Sequence, residues 1–429
     1  MTTVEAIKKA VAARCEDLTD LVCALVSIPS ENTPPMGNER AAQEYLYEYA
    51  RRAGLDAVLY EMREVPGLHE HPCFRPGREY DGRPNLIVTY PGSGSGRSLL
   101  LTGHIDSVPA VDTGWTHPPF GGECADGRIY GRGAYDMKAG LVCGLMALEI
   151  LREVGVELTG RLGLESVIDE EFAGVNGTIA GRVRGDAYEA AVVLEPSDLN
   201  IYHAHRGLRV AEVKIGGCAG VPWGGVRLDN PADRIGSIID WFNRFGRDRN
   251  KRMAGRTGYE DYEVPVPYMT TRVAAGEGGR NKVLAVPAQA AVEFFWETLP
   301  GETKDEIDRA FHAGLDEWAA CQPGLDRAAV KISFPYEWLP ASAVPPDHPL
   351  VQKLHTAVYA VTGKPPRVRG GSFPCDAYVF NLYAKTPAII FGPRGGNAHA
   401  ADEFVIIDDL AVVVESICLL ALDWCGVAD

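Results

Sequence analysis

The chain has 429 residues, 46% hydrophobic and 23% charged, a balance that excludes a disordered chain and makes two domains the natural expectation. Its 42 basic side chains against 58 acidic ones give a formal charge of −16. That excess argues against nucleic acid or an anionic membrane as partner, because both call for basic surface.

The first residues lack the apolar core of a signal peptide. Val4, Ile7, Val11, Leu18, Leu21 and Leu25 recur at helical spacing, which predicts one amphipathic helix over 4–29. Residues 63–84, rich in Pro, Gly, His and Arg, read as a surface loop. Short apolar runs at 85–90 and 98–102 predict strands, the second buried on both faces. A helix over 138–154 is apolar almost all round, and runs at 161–168 and 190–194 predict two more core strands. Strands alternating with helices give an α/β sheet between helices.

From residue 206 the pattern changes. Residues 209–215 alternate like a half-exposed strand, followed by a helix at 233–245 and strands near 270–275 and 288–297. A second helix starts at Thr303, where Thr303 and Glu306 fit a capping box, and 329–334 is a last strand. That β-α-β-β-α-β order is the ferredoxin-like pattern. The α/β alternation then resumes with a helix at 347–362, a strand at 387–391 and a helix at 407–424. The reading is a discontinuous catalytic domain, 1–205 plus 337–429, with an α+β domain inserted at 206–336. The apolar stretch from Ala411 to Trp424 carries Glu415 and Asp423 and is too short and charged to span a bilayer. Ten single cysteines without a Cys-x-x-Cys pair read as reduced, mostly buried thiols of a cytoplasmic protein.

Several segments place metal-binding side chains just after a buried strand, where sites form in open α/β sheets. Leu99-Leu-Leu-Thr-Gly-His104-Ile-Asp106 offers an imidazole, with Asp106 placed to orient it. Gly131-Arg-Gly-Ala-Tyr-Asp136 sets a carboxylate among glycines at a helix start, where a plain helix cap is the simpler reading. Asp169-Glu170-Glu171 stacks three acids that repel one another unless a cation sits beside them; alone, they read as a solvated loop. Glu195 ends an apolar strand, and His399 lies on the loop Gly395-Gly-Asn-Ala-His399-Ala-Ala-Asp402-Glu403. Together, two His and at least three carboxylates suit zinc, with manganese or cobalt as alternatives.

In this order the segments resemble the metal-dependent amidohydrolases and exopeptidases that include acetylornithine deacetylase, succinyl-diaminopimelate desuccinylase, aminoacylase and glutamate carboxypeptidase. The resemblance spans nearly the whole chain. It implies a dinuclear-metal catalytic domain, a central mixed sheet between helices, and an inserted ferredoxin-like dimerisation and lid domain. By resemblance, His104 and Glu195 bind one divalent ion, Glu171 and His399 the other, and Asp136 bridges both. Glu170 is then the general base and Asp106 the support of His104, and a cis peptide is expected at Asp136-Met137. Two cations about 3.5–4 Å apart would acidify a shared water.

The resemblance also fails in places. The family's lid histidine is replaced by Gly220 in Gly216-Gly-Cys-Ala-Gly220-Val-Pro-Trp223, and no His lies between His205 and His312. Trp296 and Glu297 stand where an acid and an Arg are usual. Asn281 matches a substrate-holding Asn, while His203, His205 and Arg206 are candidates to replace the missing donor, with structural roles as the alternative for the two histidines. Arg280, Arg369 and Arg394 are candidates for a substrate carboxylate, Asp376 matches a supporting Asp, and Trp223 is expected to pack. The leading expectation is hydrolysis of an N-acyl amino acid or related small amide by a homodimer joined through the inserted domain. The competing readings are removal of an amine from an aromatic ring, and a degenerate member that only binds a ligand.

Overall fold

The computed structural model describes residues 1–428 apart from 95, 112, 222, 224, 226–227 and 277–284. Helices α1 (Thr3–Ala13) and α2 (Cys15–Val26) open the chain. The spacing predicts one helix here, but Arg14 leaves helical geometry (φ −108°, ψ 10°) as its guanidinium turns to Glu149 and Glu153. Then follow α3 (Arg40–Arg52), β1 (Asp56–Glu61), β2 (Pro84–Tyr90), β3 (Leu99–His104) and α4 (Ala139–Glu153). The first half ends with β4 (Leu162–Val167), α5 (Asn176–Arg184), β5 (Ala190–Val193) and β6 (Ile201–His205).

The chain next builds a second sheet from β7 (Gly207–Gly216), α6 (Ile235–Met253), β8 (Tyr268–Ala275), β9 (Gln289–Thr298), α7 (Lys304–Ala320) and β10 (Val330–Ser333). It returns through β11 (Ser342–Ala343), α8 (Pro349–Thr362), β12 (Val368–Gly370), β13 (Ala388–Ile390) and α9 (Ile407–Cys425). Contacts divide the chain into two compact units, Met1–Ala204 with Ala343–Gly371 and Cys375–Asp429, and His205–Ser342 with Ser372–Pro374.

The first unit holds a nine-stranded mixed sheet in the order β11-β6-β13-β5-β3-β4-β2-β1, with β12 pairing β6. Its centre is parallel: β3 pairs β4 and β5, and β5 pairs β13, all in one direction. Every residue of β3, β4 and β5 is buried, as expected of parallel strands covered on both faces. Helix α4, buried without a break from Ala139 to Leu148, lies against β3 and β4 and packs on α9. A small antiparallel sheet joins Gly395–Gly396, Phe404–Ile406, Arg128–Tyr130 and Glu123–Ala125 in that order.

The second unit is the four-stranded antiparallel sheet β8-β9-β7-β10, the strand order of a ferredoxin-like fold. Val292, Phe294 and Trp296 alternate inward from β9. They meet Trp241 and Phe242 of α6 and Phe311 of α7, with Phe242 stacked on Phe294 and Trp296 on Phe311. Trp296 is therefore a core side chain. The capping box at Thr303 and Glu306 is present. Trp223, expected to pack, is 79% exposed. All ten cysteines are free, but only Cys73, Cys143, Cys375, Cys418 and Cys425 are buried, fewer than expected. Among the described residues no helix is long and apolar enough to cross a membrane.

Candidate metal centre

The parallel strands end on the chemistry. His104 is the last residue of β3, Glu170 and Glu171 follow β4 in a turn, and Glu195 lies two residues beyond β5. Asp136 sits before α4 at a kink where its backbone leaves helical geometry (φ −115°, ψ 91°), its bond to Met137 cis as the resemblance implies. His399 reaches the same place from its loop, with a left-handed φ of 62°.

The Asp136 carboxylate stands between the two imidazoles, one oxygen toward each. Oδ1 is 3.1 Å from His104 Nε2 and Oδ2 is 3.2 Å from His399 Nε2. Glu195 Oε1 lies 3.4 Å from His104 Nε2, and Glu171 Oε2 lies 3.3 Å from His399 Nε2. Glu170 Oε2 is 3.9 Å from His104 Nε2, the longest of these contacts. Two groups could each hold a metal ion, His104 with Asp136 and Glu171, and His104 with Glu170 and Glu195.

Burial and charge oppose one another across the cluster. Burial alone would push the Asp136 carboxyl up, yet His104 and His399 hold it far below the usual carboxylate range. Burial opposes a charged His104, but Glu195 and Asp136 raise its imidazole well above normal, and Asp136 and Glu171 raise His399 to about 10. Burial and neighbouring carboxylates push Glu195 up to about 7 and Glu170 well above its ordinary value. Buried acids that repel one another around two imidazoles form a nitrogen-and-oxygen donor set without sulfur, which fits divalent ions. His104 Nδ1–H donates to the Asp106 carbonyl at 2.8 Å, which turns Nε2 toward the carboxylates.

Asp106 supports His104 in a way the motif alone does not imply. Its main-chain carbonyl orients the ring, while its carboxylate is 3.7 Å away and collects the amides of Glu170 (3.1 Å) and Glu171 (3.0 Å). Asn32 Nδ2 donates to the same carboxylate at 2.9 Å. Glu403 is a second support, one to which the sequence motifs assign no role. It is fully buried; Oε1 accepts from the amides of Tyr135 (3.0 Å) and Asp136 (3.1 Å), and Oε2 from Arg132 at 2.6 Å. Its signal in the sequence is its place four residues after His399, and Arg132 lies between two glycines of the Asp136 motif. Asp376 bonds Thr178 and lines the same small pocket as Glu170, His104 and Glu195.

The substrate candidates fare differently. Arg394 clamps Asp409 with Nε (2.7 Å) and Nη2 (2.6 Å), so its fork is already engaged by a carboxylate of the same chain. His205 is buried with Nδ1 on the Arg206 carbonyl and Nε2 on Ser342 Oγ, both at 2.8 Å. Arg206 is buried against Glu297 at 2.8 Å, which accounts for the unusual acid at that position: the two form an internal pair of the second unit. Arg369 lies half-buried on β12. Arg280 and Asn281 fall outside the described residues.

Comparison with known proteins extends this geometry. The model of peptidase family M20/M25/M40 matches residues 100–423, a span that holds His104, Asp136, Glu170, Glu171, Glu195 and His399. A succinyl-diaminopimelate desuccinylase of Rhodopseudomonas palustris is 29% identical over 83% of this chain and 90% of its own length. An N-formyl-4-amino-5-aminomethyl-2-methylpyrimidine deformylase of Halalkalibacterium halodurans is 27% identical over 99% of this chain and 98% of its own. Among solved structures, the di-peptidase Dug1p of Saccharomyces cerevisiae superposes with a TM-score of 0.74 at 14% identity, covering 99% of both chains. A dinuclear metal-binding peptidase of Bacillus subtilis gives 0.63 at 17% identity, covering 96% of this chain and 99% of its own. The chain belongs to peptidase family M20/M25/M40 and is a hydrolase of C–N bonds.

Proposed function

We propose that the chain hydrolyses the amide bond of a small N-acyl amine or N-acyl amino acid, with two divalent ions held in its first unit. The observation that carries this reading is the Asp136 carboxylate, with one oxygen toward each of two imidazoles. His104, Glu195 and Asp136 would hold one ion, and His399, Glu171 and Asp136 the other, zinc before manganese or cobalt. A divalent pair, when bound, supplies acidity to water and polarises the amide oxygen.

The remaining chemistry belongs to the chain. Glu170, 3.9 Å from His104 where Asp136 and Glu195 lie at 3.1 and 3.4 Å, accepts the proton of the attacking water and returns it to the leaving nitrogen. Asp106 fixes the turn that aims Glu170, through the Glu170 and Glu171 amides. The altered lid motif, Gly220 in place of His, supports an atypical acyl amine over an ordinary peptide. The likeness to a deformylase of an aminomethylpyrimidine over nearly both whole chains points the same way.

The test is a panel of N-succinyl and N-acetyl amino acids, dipeptides and N-formylated aminomethyl-heteroaromatics, offered to apoprotein reloaded separately with Zn, Mn and Co. Release of free amine from an acyl amine in one reloaded form is the expected result. Ammonia release from arylamines without amide cleavage would contradict it. We further propose a cytoplasmic homodimer joined through the second unit. Strand β8 is a sheet edge with Met269 and Val273 about half exposed, the kind of edge that pairs with another chain. Sedimentation at a monomer mass would remove that proposal and leave the chemistry intact.

A further inference from the structure

Away from the metal centre, two thiols meet across distant parts of the first unit. Cys23, in the last turn of α2, places its sulfur 3.1 Å from that of Cys124, in the strand Glu123–Ala125. Cys124 is exposed and Cys23 partly so. The approach is built into the backbone. A Cβ on Gly122, whose φ is +56°, would lie 2.3 Å from the Cys23 carbonyl oxygen. A Cβ on Gly131 would lie 2.4 Å from Val26 Cγ1. Ser27 Oγ bridges the same seam, donating to the carbonyls of Cys23 (2.8 Å) and Gly121 (3.3 Å). Glycines on both sides of the hairpin let it lie directly on α2, and that contact brings the sulfurs together. About 1 Å separates this spacing from an S–S bond of ~2.05 Å.

We propose that Cys23 and Cys124 are an oxidation site that takes a low-molecular-weight disulfide and closes into an intramolecular bond. The Cys124 thiolate attacks the reagent R–S–S–R, forms Cys124–S–S–R and releases RS⁻. Cys23 then loses its proton and attacks Cys124 Sγ, displacing the second RS⁻. The two cysteine protons pass to the two thiolates, so one disulfide is consumed, two RSH are formed and the protein loses two electrons. The order follows from access: Cys124 is open to the reagent, whereas burial and the neighbouring Cys124 raise the Cys23 thiol to about 12. The second step is intramolecular between sulfurs already in contact, so the mixed disulfide does not accumulate. The bond ties α2 to the small sheet whose strand Phe404–Ile406 follows Glu403.

The experiment uses the full metal-loaded chain and oxidised glutathione, with free thiols then alkylated and the digest read by mass spectrometry. The expected product is a Cys23–Cys124 crosslinked peptide pair, absent after reduction. In Cys23→Ser the mixed glutathione disulfide stays on Cys124, and in Cys124→Ser neither species forms. Alkylation of both cysteines in the wild type, or a stable glutathione adduct on its Cys124, overturns the proposal. Because the bond closes a loop of about 100 residues, the oxidised chain is expected to melt several degrees above the reduced one. Melting at or below the reduced value would show that the bond strains the fold and that the geometry is not preset.

Discussion

At Glu403 one carboxylate fixes the position of another. Its Oε1 holds the amides of Tyr135 and Asp136, and Arg132 balances its charge. Glu403→Gln keeps an oxygen for the amides but turns an NH2 toward Arg132. Cation affinity, read by competition with a chelating dye, is expected to fall about 10- to 100-fold, the usual size for a support of a metal ligand. Unchanged affinity would show that the turn holds its shape without the charge. A second residue-level expectation concerns pH. Burial lowers His205 to about 4 from the ordinary 6.5. A depressed histidine makes the unfolded chain bind more protons between these values, so its contribution is complete above pH 6.5. It is lost as pH falls toward 4, up to about 3 kcal/mol. His205→Gln should flatten that slope relative to wild type in urea titrations with chelator present in both. The metal-binding candidates were legible because each ends a buried strand or sits among glycines. Asn32 was not, since no local pattern marks a side chain that donates to a distant carboxylate, and Glu403, which acts on backbone amides, is marked only by its place four residues after His399.

Among the elements, α4 is seated by glycine. A Cβ on Gly140 would lie 2.0 Å from the Leu194 carbonyl oxygen, beside Glu195, where backbone cannot yield. Gly140→Ala is expected to cost about 1–3 kcal/mol in urea denaturation. On Gly103 the intruding atom would meet Met137 Cε at 2.2 Å, the far end of a flexible side chain. Gly103→Ala is therefore the milder change; the reverse order would mean that Met137 is locked in place. The helices and central strands were readable because apolar runs and periods are local. The helix predicted at 233–245 continues to Met253 because Gly246, Arg249 and Met253 carry its buried face on, Arg249 bonded to the Glu297 carbonyl and to Glu302, while Arg247, Asp248, Lys251 and Arg252 stay exposed. Strand β6 escaped because Ile201 to His205 mixes apolar and imidazole side chains, all buried. The hairpin Glu123–Tyr130 was missed although Asp126 and Gly127, with φ of 50° and 72°, carry the usual Asp-Gly turn signal.

For the molecule as a whole, the candidate ligands come from five separate stretches of the first unit, so cations that bind only the folded state should stabilise that unit by linkage. Chelation is expected to lower its melting temperature while leaving the transition of the second unit in place, as read by calorimetry with and without chelator. Equal shifts of both transitions would show that the two units unfold as one. The division of labour between Glu170 and its neighbours is tested most directly by one paired measurement on Glu170→Ala: bound divalent metal per chain, and turnover of the best acyl amine. The account predicts two ions retained, as in the wild type, with turnover reduced by at least about 100-fold. Loss of an ion together with turnover would make Glu170 a ligand and contradict its role as the proton carrier.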